Sequence, residues 1–270
     1  MLYFIPTPIG NLEDITVRSL EVLKKAEVIF CEDTRVTKKL LKLLEDKFSL
    51  NFGAKDFISM HSHNEEKIVN SLDITLFEKC VVYMSDAGMP CISDPGVNLV
   101  KFAQENSIEY EVLPGANAAV SAYAASGFEE KEFIFYGFLP HKSKNRLVVL
   151  QNLLASNYNV ILYESPKRVL KLIDEICEID PDTIIFLQKE ISKLHQKSYK
   201  DNAKNLQKTL QKENLNGEWV VTIKTKQKQT QTITKEDILT LNIPKKQKAK
   251  LLSKITGEDI KTIYNDLINP

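Results

Sequence analysis

The chain has 270 residues, 43% of them hydrophobic and 27% charged, and its 36 basic and 36 acidic side chains balance to a formal charge of +0. That length holds one large or two ordinary domains, and the composition is that of a soluble globular protein. A neutral total does not mark the chain as a nucleic-acid binder, although it can hide a lopsided distribution, and no apolar run approaches the roughly 20 residues of a membrane span.

Met1–Pro6 lacks a basic n-region and reads as a strand rather than a signal peptide. Cys31, Cys80, Cys91 and Cys177 show no C-x-x-C spacing, so reduced thiols in a cytoplasmic protein are expected. Residues 2–5 form an apolar strand broken by Pro6-Thr7-Pro8-Ile9-Gly10-Asn11. Thr16 is placed to cap a helix whose Val17, Leu20, Leu23 and Ala26 recur at helical spacing. Val28-Ile29-Phe30-Cys31 predicts a second strand, followed by Glu32-Asp33-Thr34-Arg35 and a helix over about 36–44. A weaker third strand at 57–60 leads into His61-Ser62-His63-Asn64-Glu65 and a helix over roughly 66–77. The fourth strand, at 80–84, feeds a loop over 85–96 that holds two Gly, two Pro, two Asp and two Ser. This loop exceeds the usual two to six residues, which distinguishes it from a plain βα turn. A helix over 97–104 and a strand over 110–113 complete the first series.

Pro114-Gly115-Ala116-Asn117-Ala118 then opens a helix of small residues reaching 125. Strands at 133–136, 159–163, 183–187 and 219–223 alternate with helices at 144–154, 167–177 and 203–211. The alternation in the first series predicts a mostly parallel sheet with helices on both faces, and the whole reads as an α/β fold of two α/β halves. The expected domains are 1–115, 116–225 and a linker with a basic helical appendage at 226–270. Residues 224–254 carry nine Lys against Glu236 and Asp237, and three short helices are expected at 235–241, 245–255 and 258–268.

The special sequences of the first half all follow strand ends, which share one edge of a parallel sheet and would line one cleft. Neither G-x-G-x-x-G after the first strand nor G-x-x-x-x-G-K-[ST] occurs, so a ligand there is not held in the usual dinucleotide or P-loop manner. Glu32, Asp33 and Asp86 are carboxylates at that edge, suited to accept a proton or to orient a bound group. Arg35 suits a phosphate or a pairing with Glu32. Asp33 and Thr34 equally suit helix capping. His61-x-His63 has no third ligand nearby, and no metal is expected. Lys142, Lys144, Arg146, Lys167, Arg168, Lys245, Lys246, Lys248 and Lys250 could neutralise phosphates, or the last cluster could be a solvated helix face.

Thr7-Pro8-Ile9-Gly10-Asn11-Leu12, Glu32-Asp33-Thr34-Arg35, Ser85-Asp86-Ala87-Gly88-Met89-Pro90 and Ser93-Asp94-Pro95-Gly96 resemble the tetrapyrrole methylase superfamily. More narrowly, they resemble its branch that methylates a cytidine 2′-hydroxyl of 16S rRNA. Pro114–Ala118, Gly137–Pro140, Tyr163–Arg168, Glu190–His195 and Gly217–Val221 continue the likeness in order over about residues 1–225. Met89, where the family more often has Thr, and Trp219, often Phe, depart from it. The resemblance implies two α/β domains with S-adenosylmethionine in the cleft between them. The Pro8–Gly10 turn, Asp86, Ala87, Gly88, Met89, Ile92, Ser93 and the Pro114–Ala119 turn with its Gly115 and Ala118 would surround the cofactor, closed by Tyr163, Trp219 and Val220. It implies 16S rRNA in the 30S subunit as substrate, a homodimer, catalysis near Glu32, Asp33 and Arg35, and RNA contacts at His63, Asn64, Lys193 and His195. Two alternatives are methylation of a tetrapyrrole precursor and a non-catalytic, RNA-binding role in ribosome assembly.

Overall fold

Short runs of β-branched and aromatic residues that are buried on both sides demand a parallel sheet covered by helices on each face. The computed structural model describes residues 1–141, 143–226 and 233–268, with backbone alone at 143 and 144. It divides into two units, Met1–Lys226 and Gln227–Pro270.

In chain order, the first half of the larger unit holds β1 (Leu2–Ile5), α1 (Val17–Lys25), β2 (Val28–Cys31), α2 (Thr34–Phe48), β3 (Asp56–Ser59), α3 (Glu65–Val69), β4 (Val81–Met84), α4 (Val97–Glu105) and β5 (Tyr110–Val112). The strands lie in the order β3-β2-β4-β1-β5, all parallel. Successive side chains go to opposite faces. Ile5, Ile29, Val82 and Met84 pack beneath Leu23, Leu41 and Leu44, and Phe4, Phe30, Val81 and Tyr83 meet Phe77, Leu99 and Ala103. Thr16 caps α1 by accepting from Ser19 N, as its position predicts. The helix expected over 66–77 is shorter. It stops at Val69, and a separate 3-10 turn begins after Asp73, whose side chain accepts from Thr75 N and competes with helix continuation.

The second half begins with α5 (Ala118–Ser126) and continues through β6 (Phe133–Phe138), α6 (Ser143–Leu154), β7 (Asn159–Glu164), α7 (Val169–Ile179), β8 (Ile184–Lys189), β9 (Lys197–Asn202), α8 (Ala203–Leu210) and β10 (Trp219–Ile223). Its sheet runs β6-β7-β10-β8-β9, and only β6 and β7 are parallel. The parallel sheet expected of the first series is therefore found in the first half, whereas the second half carries a mixed sheet. β9 has no counterpart among the predicted elements because Lys-Ser-Tyr-Lys-Asp-Asn has no apolar run. As an edge strand hydrogen-bonded to β8 alone, it needs none. α5 covers one face with Ala119, Ala122 and Tyr123 against Ile161 and Val220. The other face carries the larger core, including Leu150, Leu172, Ile173, Leu206 and Trp219.

Arg146 departs from its expected role. The sequence offers it as a phosphate contact, but its side chain is 2% exposed, with Nη2 3.1 Å from Glu164 and Nε 2.8 Å from Glu175. Two buried carboxylates absorb its charge, and no face is left for RNA. Glu164 also takes Arg168 Nε at 2.7 Å. Lys142 lies outside the described residues, as do residues 227–232 of the expected linker, and the Lys144 side chain is not described.

The smaller unit holds α9 (Lys235–Thr240), α10 (Lys245–Thr256) and α11 (Ile260–Ile268), packed on Ile238, Ala249, Leu252 and Ile263. Thr234 and Asp237 form a reciprocal capping box before α9. Lys245 and Lys246 are exposed, whereas Lys248 Nζ donates to Leu239 O at 2.6 Å. No helix among the described residues is long and apolar enough to cross a membrane.

Arg146→Ala leaves Glu164 and Glu175 without their shared buried cation, and should cost about 3–5 kcal/mol. The expected result is a lower urea midpoint with an unchanged slope.

Candidate active site

Proline and threonine end β1 abruptly, and the exit loop is fastened to the loop after β4. Thr7 and Gly88 exchange backbone hydrogen bonds at 3.0 and 3.1 Å, and Thr7 Oγ1 donates to Ser85 O at 3.3 Å. Gly88 has φ +84°, and a Cβ there would stand 3.1 Å from the Ile9 side chain, so this crossing requires glycine.

The neighbouring strand ends are clamped by their acids. Glu32 Oε1 accepts from Asp86 N at 3.2 Å, and Asp86 Oδ1 accepts from Asp33 N at 3.4 Å. Asp33 caps α2 by accepting from Arg35 N at 2.8 Å and pairs with Arg35 Nη2 at 2.6 Å. The Arg35 guanidinium therefore holds the Asp33 carboxyl down to about 2, which makes Asp33 a poor proton acceptor near neutrality. Of the two side chains, Glu32 and Asp33, it is its neighbour Asp33 that Arg35 pairs with. Burial, more than the adjacent carboxylates, pushes Glu32 and Asp86 upward.

The His61–Glu65 stretch ties its own loop together and reaches the start of α4. Asn64 accepts from His61 N at 2.7 Å and donates to Ser59 O at 3.1 Å. Glu65 is buried and accepts from Gly96 N and Asn98 N at 2.8 and 3.0 Å, capping α4 in place of the side chain that Gly96 lacks. His63 and His195 remain exposed. Lys193 is engaged by Glu190 and Glu218, each at 3.0 Å. Arg168 contacts Ser165 and His141 besides Glu164. Among the described residues, no group of three or more His, Cys, Asp or Glu is arranged to hold a metal ion.

A cavity of about 350 Å³ opens between the first sheet's exit loops and the second sheet. Of the residues expected around a cofactor, Ala87, Gly88, Met89, Ile92, Ser93, Ala118, Tyr163, Trp219 and Val220 line it. Pro8, Gly10, Asp86, Pro114, Gly115 and Ala119 are not among the lining residues. Gly10 lies under the turn after β8, where a Cβ would come within 2.8 Å of Ile191 O and 2.7 Å of Ser192 C. Gly115 packs on Pro6, Ala119 on the sheet beneath α5, and Asp86 belongs to the strand-end clamp. The lining also includes Ile9 and Asn117, which belong to the two turns expected around the cofactor, and Asp94, Phe138, Glu164, Ser165, Pro166, Ile191 and Glu218, which the sequence did not single out. All lie inside the stretches that carry the family resemblance, so their motifs marked them although no residue-level argument did. Asp94 is pushed up to about 7 by burial first and then by Glu32 and Asp86.

The family profile described as Tetrapyrrole (Corrin/Porphyrin) Methylases matches residues 1–207. The chain belongs to this family. Its similarity to the Ribosomal RNA small subunit methyltransferase I of Campylobacter fetus subsp. fetus is 56% identity over 270 residues, covering 99% of this chain and 100% of that one. The protein of the same name from Helicobacter pylori strain J99 is 43% identical, over 98% and 96%, and that of Thermotoga maritima 42%, over 74% and 86%. Among solved structures, diphthine synthase shares the fold at a TM-score of 0.60 and 16% identity, covering 83% of this chain and 90% of that one. The cobalamin biosynthetic enzyme cobalt precorrin-4 methyltransferase, CbiF, does so at 0.57 and 18%, covering 82% and 93%.

Gly10→Ala forces the 191–193 backbone away, and overpacking of this kind costs about 1–3 kcal/mol. Because Ile191 lines the cavity, affinity for S-adenosylmethionine should fall as well. Thermal melting and calorimetric titration read the two effects.

Proposed function

We propose that this chain is an S-adenosylmethionine-dependent methyltransferase of the small ribosomal subunit RNA, working in the cytoplasm on a cytidine 2′-hydroxyl of 16S rRNA in the 30S particle. The observation that carries the reading is near-full-length similarity, at 56% identity, to a protein named for that RNA. The cobalamin enzyme is similar only at 18%, which speaks for a common fold. The substrate is therefore taken from the ribosomal relatives.

The cavity suits the cofactor by size and by chemistry. Its volume falls in the range of small-ligand pockets, about 300–1,000 Å³. Ile9, Met89, Ile92, Ile191 and Val220 offer apolar surface, and Phe138 and Tyr163 offer ring faces. The small residues Ala87, Gly88 and Ala118 leave backbone groups open to a purine and to an amino-acid moiety. Carboxylates and rings on the wall complement a cation. When bound, S-adenosylmethionine supplies a methyl group activated by its sulfonium charge. The chain's part is to hold the acceptor ribose in line with that methyl and to receive the hydroxyl proton.

Outside the cavity, the exposed Lys167, His195 and His63 of the larger unit and Lys245 and Lys246 of the smaller would face RNA, and Arg168 would do so only by leaving Glu164. Lys193 would do so only by leaving Glu190 and Glu218.

Labelled methyl transfer tests the reading. Incorporation into 30S subunits, recovered as 2′-O-methylcytidine after nuclease digestion, is the expected result. Incorporation only into a tetrapyrrole precursor, or none, would replace it. Removal of residues 227–270 should weaken 30S binding by about tenfold or more and flatten its salt dependence, while cofactor affinity stays unchanged. Unaltered 30S affinity would place RNA binding wholly in residues 1–226.

A further inference from the structure

Among the described residues three carboxylates line the cavity, and they are not equivalent. Glu164 is fully committed, accepting from Arg146, Arg168 and the backbone of Ser165. Glu218 is paired with Lys193. Asp94, half-buried between the lining residue Ser93 and the left-handed turn at Gly96, has neither a hydrogen bond nor an ion pair among the described residues. The acids that the sequence put forward are spent elsewhere, Glu32 and Asp86 on backbone amides and Asp33 on Arg35.

We propose that Asp94 is the catalytic base, the carboxylate that touches the substrate hydroxyl and takes its proton. The inference rests on reading the chain as an O-methyltransferase. In that reaction the hydroxyl oxygen bonds to the methyl carbon, and the carbon–sulfur bond breaks with its electron pair left on sulfur. The hydroxyl proton passes to Asp94 and then to solvent.

The surroundings suit such a role. Asp94 interacts with Glu32 and Asp86 from the strand ends, with Tyr83 on β4 and Cys91 in its own loop, and with Tyr163 across the cavity on β7. None of these is a cation, so nothing stabilises the carboxylate to the point of losing its basicity. A base works best with a proton affinity near the working pH, and burial together with Glu32 and Asp86 brings Asp94 to about 7. The methyl donor's positive charge would lower that value in the complex, keeping Asp94 ionised at neutrality.

The test is single-turnover methylation of 30S subunits across about pH 5.5 to 9, with wild type, Asp94→Asn and Asp94→Glu. Calorimetry of S-adenosylmethionine and S-adenosylhomocysteine runs alongside. The wild-type rate should rise with pH to a plateau, with an apparent midpoint at or below about 7. Asp94→Asn should be slower by about 100-fold or more and lose the acid limb, with both ligands bound within about threefold of wild type. Asp94→Glu should restore a pH-dependent fraction of the rate. A pH-independent wild-type rate, or an Asp94→Asn rate within threefold of wild type, overturns the proposal. So does an Asp94→Asn variant that loses S-adenosylmethionine affinity in step with its rate while keeping S-adenosylhomocysteine, since Asp94 would then be a counter-charge. If Asp94→Asn does not fold, the wild-type and Asp94→Glu profiles decide. A wild-type protein that methylates no 30S RNA at any pH brings down the functional reading itself, and the base with it.

Discussion

A glycine with no side chain lets the two sheets of the larger unit meet. At Gly10 the exit loop of β1 lies directly on the backbone of the turn after β8. That turn holds two non-glycine residues in left-handed conformation, Glu190 at φ +54° and Ser192 at +65°. Such conformations persist where the surroundings over-determine them, and here they do. Ser192 Oγ bonds the Asp14 carboxylate, Glu190 accepts from Glu218 N at 2.8 Å, and Lys193 ties Glu190 to Glu218. Ile9 and Ile191, on either side of the contact, both face the cavity. The wall thus inherits its position from main-chain packing instead of from the flexible side chains that touch a ligand.

The acids of the molecule fall into two regimes. Where a carboxylate is to hold structure, it is saturated: Glu164 by two arginines and an amide, Glu65 by two amides of α4, Asp33 by an amide and a guanidinium. Breaking any of these strands a polar group, and the cost is greatest for the buried ones. Asp94 is left unsatisfied beside the cavity, among like charges. A protein tolerates such a group at small cost only because it can be protonated, and that same property makes it chemically available.

Much of this was legible in the sequence. The first sheet was, because its strands are short apolar runs buried on both faces and each is followed by a turn-rich motif. The loop at 85–96 was recognisable as a cavity wall for the same reason, and Ala87 to Met89, Ile92 and Ser93 do line it. What stayed hidden depended on partners distant in sequence. Arg146 looks like any basic helix residue until Glu164 and Glu175 are brought to it. Glycine at position 10 looks like a ligand contact until the turn after β8 is laid across it. β9 is invisible because an edge strand with one neighbour needs no apolar signature. Asp94 differs from Asp33 only in what surrounds it, and the distance from Asp33 to Arg35 carries no such information for a residue sixty positions on.

The strand order of the second sheet has a bearing on how the protein is made. β10 is last in sequence within this unit, yet it lies at the centre, between β7 and β8. The first sheet possesses all its strands once Val112 has been synthesised, and can fold while the chain is still growing. The second cannot close until Ile223 has left the ribosome. Until then the inner edges of β7 and β8 lack their partner and expose hydrogen-bonding groups open to mispairing. Trp219 and Val220 ride on that last strand, so the ligand cavity is completed by the same event that seals the sheet. A nascent chain therefore passes through a stage with a finished first half and no binding site.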